Sequence, residues 1–187
     1  SIWFAHEKVD GVNYWSDKTP ARVEQQEWLC YQDSDEAALM AVKLAWRPSA
    51  ETMPVMTQEL IVAIRPGSDG ETFFELQSTF RPTGAKLTLG KTNFGFLAVR
   101  MAKGLSLVFG NGRLTNSLGC EGEPAIFGKP AEWVDYSGEQ QAGQPEGLTS
   151  IIRKTRGILH TGMYEATAGW GLPPASPAIE SSPRMNH

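Results

Sequence analysis

Up to about residue 150 the chain keeps a two-residue period. In ETFFELQSTFRP, residues 71–82, Phe74, Leu76, Ser78 and Phe80 fall on one face and Phe73, Glu75, Gln77 and Thr79 on the other. That is the alternation of a half-buried strand. TQELIVAIRP (57–66) alternates Leu60, Val62 and Ile64 against Glu59, Ile61 and Ala63, and FLAVRM (96–101) alternates Leu97, Val99 and Met101 against Phe96, Ala98 and Arg100. EAALMAVKLAWRP (36–48) has the Ala and Leu of a helix but no clean 3.6-residue stripe, and it ends in Trp-Arg-Pro, so it too reads as a strand. The pattern predicts strands over 36–47, 55–65, 71–81 and 94–101, with Phe74, Leu76, Phe80, Leu97 and Val99 buried.

Turn signals separate these runs: PGSDG at 66–70, RPTG at 81–84, FGNG at 109–112 and EGEP at 121–124. Short strands at this spacing, with no crossover helices between them, predict an all-β fold, an antiparallel β-sandwich of jelly-roll or supersandwich kind. Near Ser150 the alternation stops. TSIIRKTRGILHTGMYEATAGW (149–170) clusters basic residues, and GLPPASPAIESSPRMNH (171–187) holds four prolines and no aromatic residue. So little apolar surface does not offset roughly 1–2 kcal/mol of backbone entropy per residue. The chain therefore divides into a β-domain over 1–150 and an irregular tail over 151–187.

Composition narrows the classes. The 187 residues are 41% hydrophobic and 20% charged, which fits one soluble globular domain. A net charge of −4 without a dense Lys/Arg stripe speaks against nucleic acid as a partner, and no apolar run approaches the eighteen or so residues that cross a bilayer. The opening SIWFAHEKVDGVNYW is core-like from its first residues, so the chain is expected to begin inside a domain, with an unpaired edge near residues 1–15 that exposes Trp3 or Phe4. Cys30 and Cys120 lack companions at ligand spacing and read as free thiols that behave as small hydrophobes.

The candidate chemistry is sparse, and each candidate has a structural reading beside it. His6, next to Trp3 and Phe4, is either an acid–base group or a satisfied core histidine. Lys91 and Arg100 bracket one strand and suit an anionic or polyhydroxylated ligand, or simply a solvated strand end. Asn116 and Glu121 lie in a Gly/Asn-rich turn, where an amide and a carboxylate can also pair with sugar hydroxyls. Trp133, Asp135 and Tyr136 form the most informative cluster: an aromatic face beside a carboxylate resembles a sugar platform, while the alternative puts both rings in the core and Asp135 on a turn. His6, Glu121 and Asp135 are the available catalytic candidates, with Glu132 a further carboxylate. They do not define the carboxylate pair of a glycosidase. There is no G-x-S-x-G elbow, phosphate loop or dinucleotide fingerprint, and no cofactor is implied.

SIWFAHEKVDGVNYW, LGKTNFGFLAVRMA, NGRLTNSLG and FGKPAEWVDYSG, in this order, resemble the family labelled methane oxygenase PmoA-like, over residues 1 to about 150. The resemblance implies a soluble β-sandwich, often secreted and often found with proteins of glycan breakdown, hence an extracytoplasmic location. It also implies further strands and a His-His-Arg run ahead of Ser1. Members continue after WVDYSG with a pattern close to H-P-x-N-P-R-H-P-T-x-W-H-x-R. Plausible codons for residues 151–173, read from the third base, give that pattern, so the tail is expected to be out of frame, and any site built on the tail's in-frame histidines is incomplete here. Two functions follow: carbohydrate binding or processing, from the Trp133 cluster and the glycan association, and a metal-dependent oxygenase or redox enzyme, from the family label. An inactive fragment is the third reading.

Overall fold

The computed structural model describes residues 1–92, 96–141 and 144–151. The regular structure of the described chain is mostly antiparallel β-strand with almost no helix, in two compact units that are taken separately below: residues 2–99, and residues 100–151 together with Ser1.

The first unit is built on a four-stranded meander, β2 (Arg22–Asp33), β3 (Ala38–Arg47), β4 (Met56–Pro66) and β5 (Thr72–Pro82), in the order β2-β3-β4-β5. Each strand lies beside its sequence neighbour because the connections are short. The Gly67–Glu71 link, for example, closes with backbone hydrogen bonds from Gly67 to Glu71 and from Glu71 to Ser68. Registers of Trp46 with Met56, Gln58 with Phe80 and Leu60 with Ser78 put Val42, Leu44, Trp46, Met56, Gln58, Leu60, Leu76, Ser78 and Phe80 on one face. The opposite face carries Lys43, Glu59 and Arg81, with ion pairs between Arg81 and Glu59 and between Arg65 and Glu75.

A two-stranded ribbon, β1 (Ile2–Phe4) with β6 (Leu97–Val99), supplies the cover for one end of the apolar face. Phe4 meets Phe80 edge-on at 5.7 Å, and Phe96 lies 4.6 Å from Phe80 and 5.5 Å from Trp46. The buried centre is Val9, Trp46, Met56 and Leu87, ringed by Phe4, Tyr14, Val55, Phe80, Leu89 and Phe96. One polar thread crosses it: Trp46 Nε1 donates to Gln58 Oε1 at 2.9 Å, and Gln58 Nε2 donates to Ser78 Oγ at 2.7 Å.

Four expectations are corrected. Phe74 shares the face of Phe80 as expected, yet is 53% exposed, because the ribbon and its loops cover only the Trp46 end of that face. Leu76, Phe80, Leu97 and Val99 are half-buried rather than fully buried. The first strand does not leave Trp3 or Phe4 bare: it pairs with β6, Trp3 meets Trp15 edge-on at 5.8 Å, and both residues are half-buried. EGEP is not only a turn. Gly122, at a φ of +81° open to glycine, leads into a one-turn helix, α1 (Glu123–Ile126), with Pro124 in its first turn.

The second unit is a three-stranded sheet in the order β7 (Arg113–Asn116), β8 (Val134–Gln141), β9 (Gln144–Ser150). Its inner face packs Leu114 and Val134 against Ile126 of α1, with Cys120, Ala131 and Tyr136 around them. Near Lys103–Leu105, a single 3₁₀ turn, the backbone at Gly110 and Gly112 comes so close that a Cβ there would collide with the carbonyls of Lys103 and Leu105. Both cysteines are free thiols. No described helix is long and apolar enough to cross a membrane. The expected irregular tail, apart from residue 151, lies outside the described residues.

Candidate functional site

The registers of the three-stranded sheet decide which side chains meet. Leu114 pairs with Tyr136, and Thr115 with Asp135, which pairs in turn with Thr149. Alternation then sends Leu114, Asn116, Val134 and Tyr136 inward, and Thr115, Asp135 and Thr149 outward in one row across three strands. Trp133, two residues before Asp135, shares the outward parity.

These four outward residues, Thr115, Trp133, Asp135 and Thr149, line one cleft of about 220 Å³. Thr149 Oγ1 donates to Asp135 Oδ1 at 2.6 Å, which fixes the carboxylate's rotamer and leaves its remaining lone pairs for a ligand. A second depression of about 450 Å³ is lined by Ser117, Leu118, Pro130, Ala131 and Glu132. Between the two, Ser117 N donates to the Trp133 carbonyl at 3.1 Å and Glu132 N donates to Ser117 Oγ at 2.8 Å.

The structure separates the expected sugar platform into its parts. Trp133 and Asp135 stay together in the cleft. Tyr136 goes to the opposite face and into the core, where burial pushes its phenol above 10, with Glu123 adding to the effect. Asn116 is 2% exposed and also faces inward. Its Oδ1 accepts from Leu118 N at 3.1 Å and Cys120 N at 3.0 Å, so it shapes the turn that carries Ser117 and Leu118. Its Nδ2 is buried without a hydrogen-bond partner.

Glu121 lies on the surface against Arg113, at 2.8 Å, beside the bridge from Thr115. The hydrogen bond and charge of that guanidinium hold its carboxyl below the usual range. His6 and Lys91 belong to the other unit. His6 is fully buried: its Nδ1 accepts from Lys8 N at 3.0 Å and its ring lies 5.3 Å from Phe96. Burial lowers its pKa, with Glu7 opposing, so it stands as a neutral core imidazole. Lys91 is exposed on the loop beyond Leu89. Arg100 is exposed as well, and its backbone exchanges hydrogen bonds with Ser1. Among the described residues no group of three or more His, Cys, Asp or Glu stands close enough to hold a metal.

Thr115 and Thr149 escaped the reading of the sequence. Each is an ordinary strand threonine until strand pairing sets it beside Asp135, and no local motif carries that information.

The model of DUF6807, a family of unknown function, matches residues 1–185. No curated protein and no solved structure matches the chain. The resemblance to a methane oxygenase PmoA-like family is thereby corrected: the family found is DUF6807, and its match runs through the segment expected to be out of frame, giving that expectation no support.

Proposed function

We propose that this chain, which belongs to DUF6807, a family of unknown function, is a carbohydrate-binding β-domain whose ligand sits on the outward face of the three-stranded sheet. The observation that carries this is the composition of the Trp133 cleft: one indole, one carboxylate and two threonine hydroxyls, converging from three strands and a strand-leading loop. A sugar ring has an apolar C–H face and a rim of hydroxyls. An indole complements the first, and acceptor oxygens of Asp135 and the threonines complement the second. Strand pairing fixes Thr115, Asp135 and Thr149, and Trp133 leads directly into β8.

The reading is of binding rather than cleavage. Glycoside hydrolysis requires a protonated carboxylic acid beside a second carboxylate. Glu121 is held ionised by Arg113, and Asp135 already accepts a hydrogen bond from Thr149.

Titration calorimetry of the full chain with neutral mono- and oligosaccharides tests the reading. Trp133→Ala should weaken binding at least tenfold, about 1.4 kcal/mol, and Asp135→Asn should weaken it by a similar factor. Trp28→Ala, at an exposed aromatic of the other unit, should leave it unchanged. Affinity indifferent to Trp133, or no sugar bound at millimolar concentration, overturns the proposal.

A further inference from the structure

The residues that line the two depressions adjoin along the chain. Thr115 on β7 lines the cleft, and Ser117, in the turn that follows β7, lines its neighbour. Ser117 is tied to Trp133 by one backbone hydrogen bond, and its hydroxyl accepts from Glu132 N. Glu132 and Trp133 are consecutive, one lining each depression. The indole of the small cleft is therefore next in sequence to the wall of a larger depression lined by Leu118, Pro130 and Ala131.

The charge along this line is one-sided. The two depressions are lined by Asp135 and Glu132 and by no lysine or arginine. The one guanidinium nearby on the same sheet, Arg113, is bound to Glu121 at 2.8 Å. Among the described lining residues a carboxylate or sulfate on the ligand would meet like charge and no cation. Hydroxyl, acetamido and ammonium groups meet no such penalty, since all can donate to carboxylate oxygens.

Resting on the carbohydrate reading, we infer that the two depressions form one groove that takes an oligosaccharide of at least two residues, and that the groove selects neutral or amino sugars over uronic and sulfated ones. The Trp133 cleft holds one ring and the Leu118–Ala131 depression holds its neighbour. Asn116 serves the groove indirectly, by fixing the turn that presents Ser117 and Leu118.

The test is a calorimetric ladder on the full chain, with glucose, cellobiose and cellotetraose, the matching chito-oligosaccharides, and oligogalacturonides of the same lengths. In the neutral or amino series the tetrasaccharide should bind at least tenfold tighter than its monosaccharide, and the oligogalacturonide at least tenfold more weakly than the best neutral chain of equal length. Leu118→Ala, at a side chain 67% exposed and so unimportant to folding, should lower tetrasaccharide affinity several-fold and leave monosaccharide affinity unchanged. Glu132→Gln should narrow the discrimination against uronates. Equal affinity along the ladder overturns the groove while the single-ring cleft at Trp133 survives. Tighter binding of the uronate chains overturns the charge selectivity, and failure of every sugar to bind overturns both this inference and the reading on which it rests.

Discussion

Replacing Gln58 separates two ways of losing a buried hydrogen bond. Its amide lies 1% exposed on the covered face of the meander, accepting from Trp46 Nε1 at 2.9 Å and donating to Ser78 Oγ at 2.7 Å. Gln58→Leu keeps most of the volume but leaves the indole N–H of Trp46, itself 0% exposed, without an acceptor. An orphaned buried donor costs about 1–3 kcal/mol. The Ser78 oxygen loses only an incoming donor while its own O–H remains able to donate, and adds little, so unfolding free energy should fall by about 2 kcal/mol. Trp46→Phe removes the donor and part of the ring that packs on Tyr14, Phe80 and Phe96, for a loss of about 2–3 kcal/mol. In the double variant neither partner is stranded, so its loss should fall short of the sum by about 1–2 kcal/mol. Urea titrations of the four proteins, followed by far-ultraviolet circular dichroism and compared at a common slope, measure the difference. Additivity within about 0.5 kcal/mol would show that the thread contributes no coupled energy and refute the reasoning.

Three further outcomes are expected. Burial lowers the His6 pKa below 6.5, so the unfolded chain takes up that proton first: stability is fully present above pH 6.5 and declines as pH falls toward the folded pKa. His6→Asn should flatten that limb of a urea-midpoint profile, and an unchanged profile counts against a buried neutral imidazole. Gly112→Ala drives a methyl into the Leu105 backbone and should lower unfolding free energy by about 2 kcal/mol, whereas an unshifted melting temperature would mean that the turn yields freely. Trp28→Ser, at a side chain 57% exposed, should change stability by less than about 0.5 kcal/mol, and a larger loss in the same titration means that something covers that ring.

Strands β3, β4 and β5 were legible because their alternation is unbroken and Gly/Pro turns bound them. β2 was not, and the reason is in its register: irregularities between Gln25 and Glu27 and between Trp28 and Cys30 each insert an unpaired residue, so the two-residue period is reset twice within RVEQQEWLCYQD. Phe74 shows a different limit. Alternation assigns a residue to a face but does not say how far along that face the cover extends. In the candidate site, Trp133 and Asp135 were readable as an aromatic beside a carboxylate, and their shared parity was implicit. Tyr136, one residue further, had to point the other way once this segment became a strand. Thr115 and Thr149 depended on pairing between distant segments, which a local pattern does not encode.

The ribbon that covers the first unit also governs how that unit assembles. Every strand of the meander finds its partner among residues that immediately precede or follow it, so those hairpins close small loops. The ribbon instead joins Ile2 to Val99, the two ends of the unit. That contact carries the largest loop-closure entropy in the unit, and until it forms Phe4 does not reach Phe80. End-to-end closure, rather than hairpin formation, is therefore the step expected to limit refolding. A covalent tether between residues 1 and 100, whose backbones already exchange hydrogen bonds, would accelerate refolding far more than any improvement to a turn of the meander.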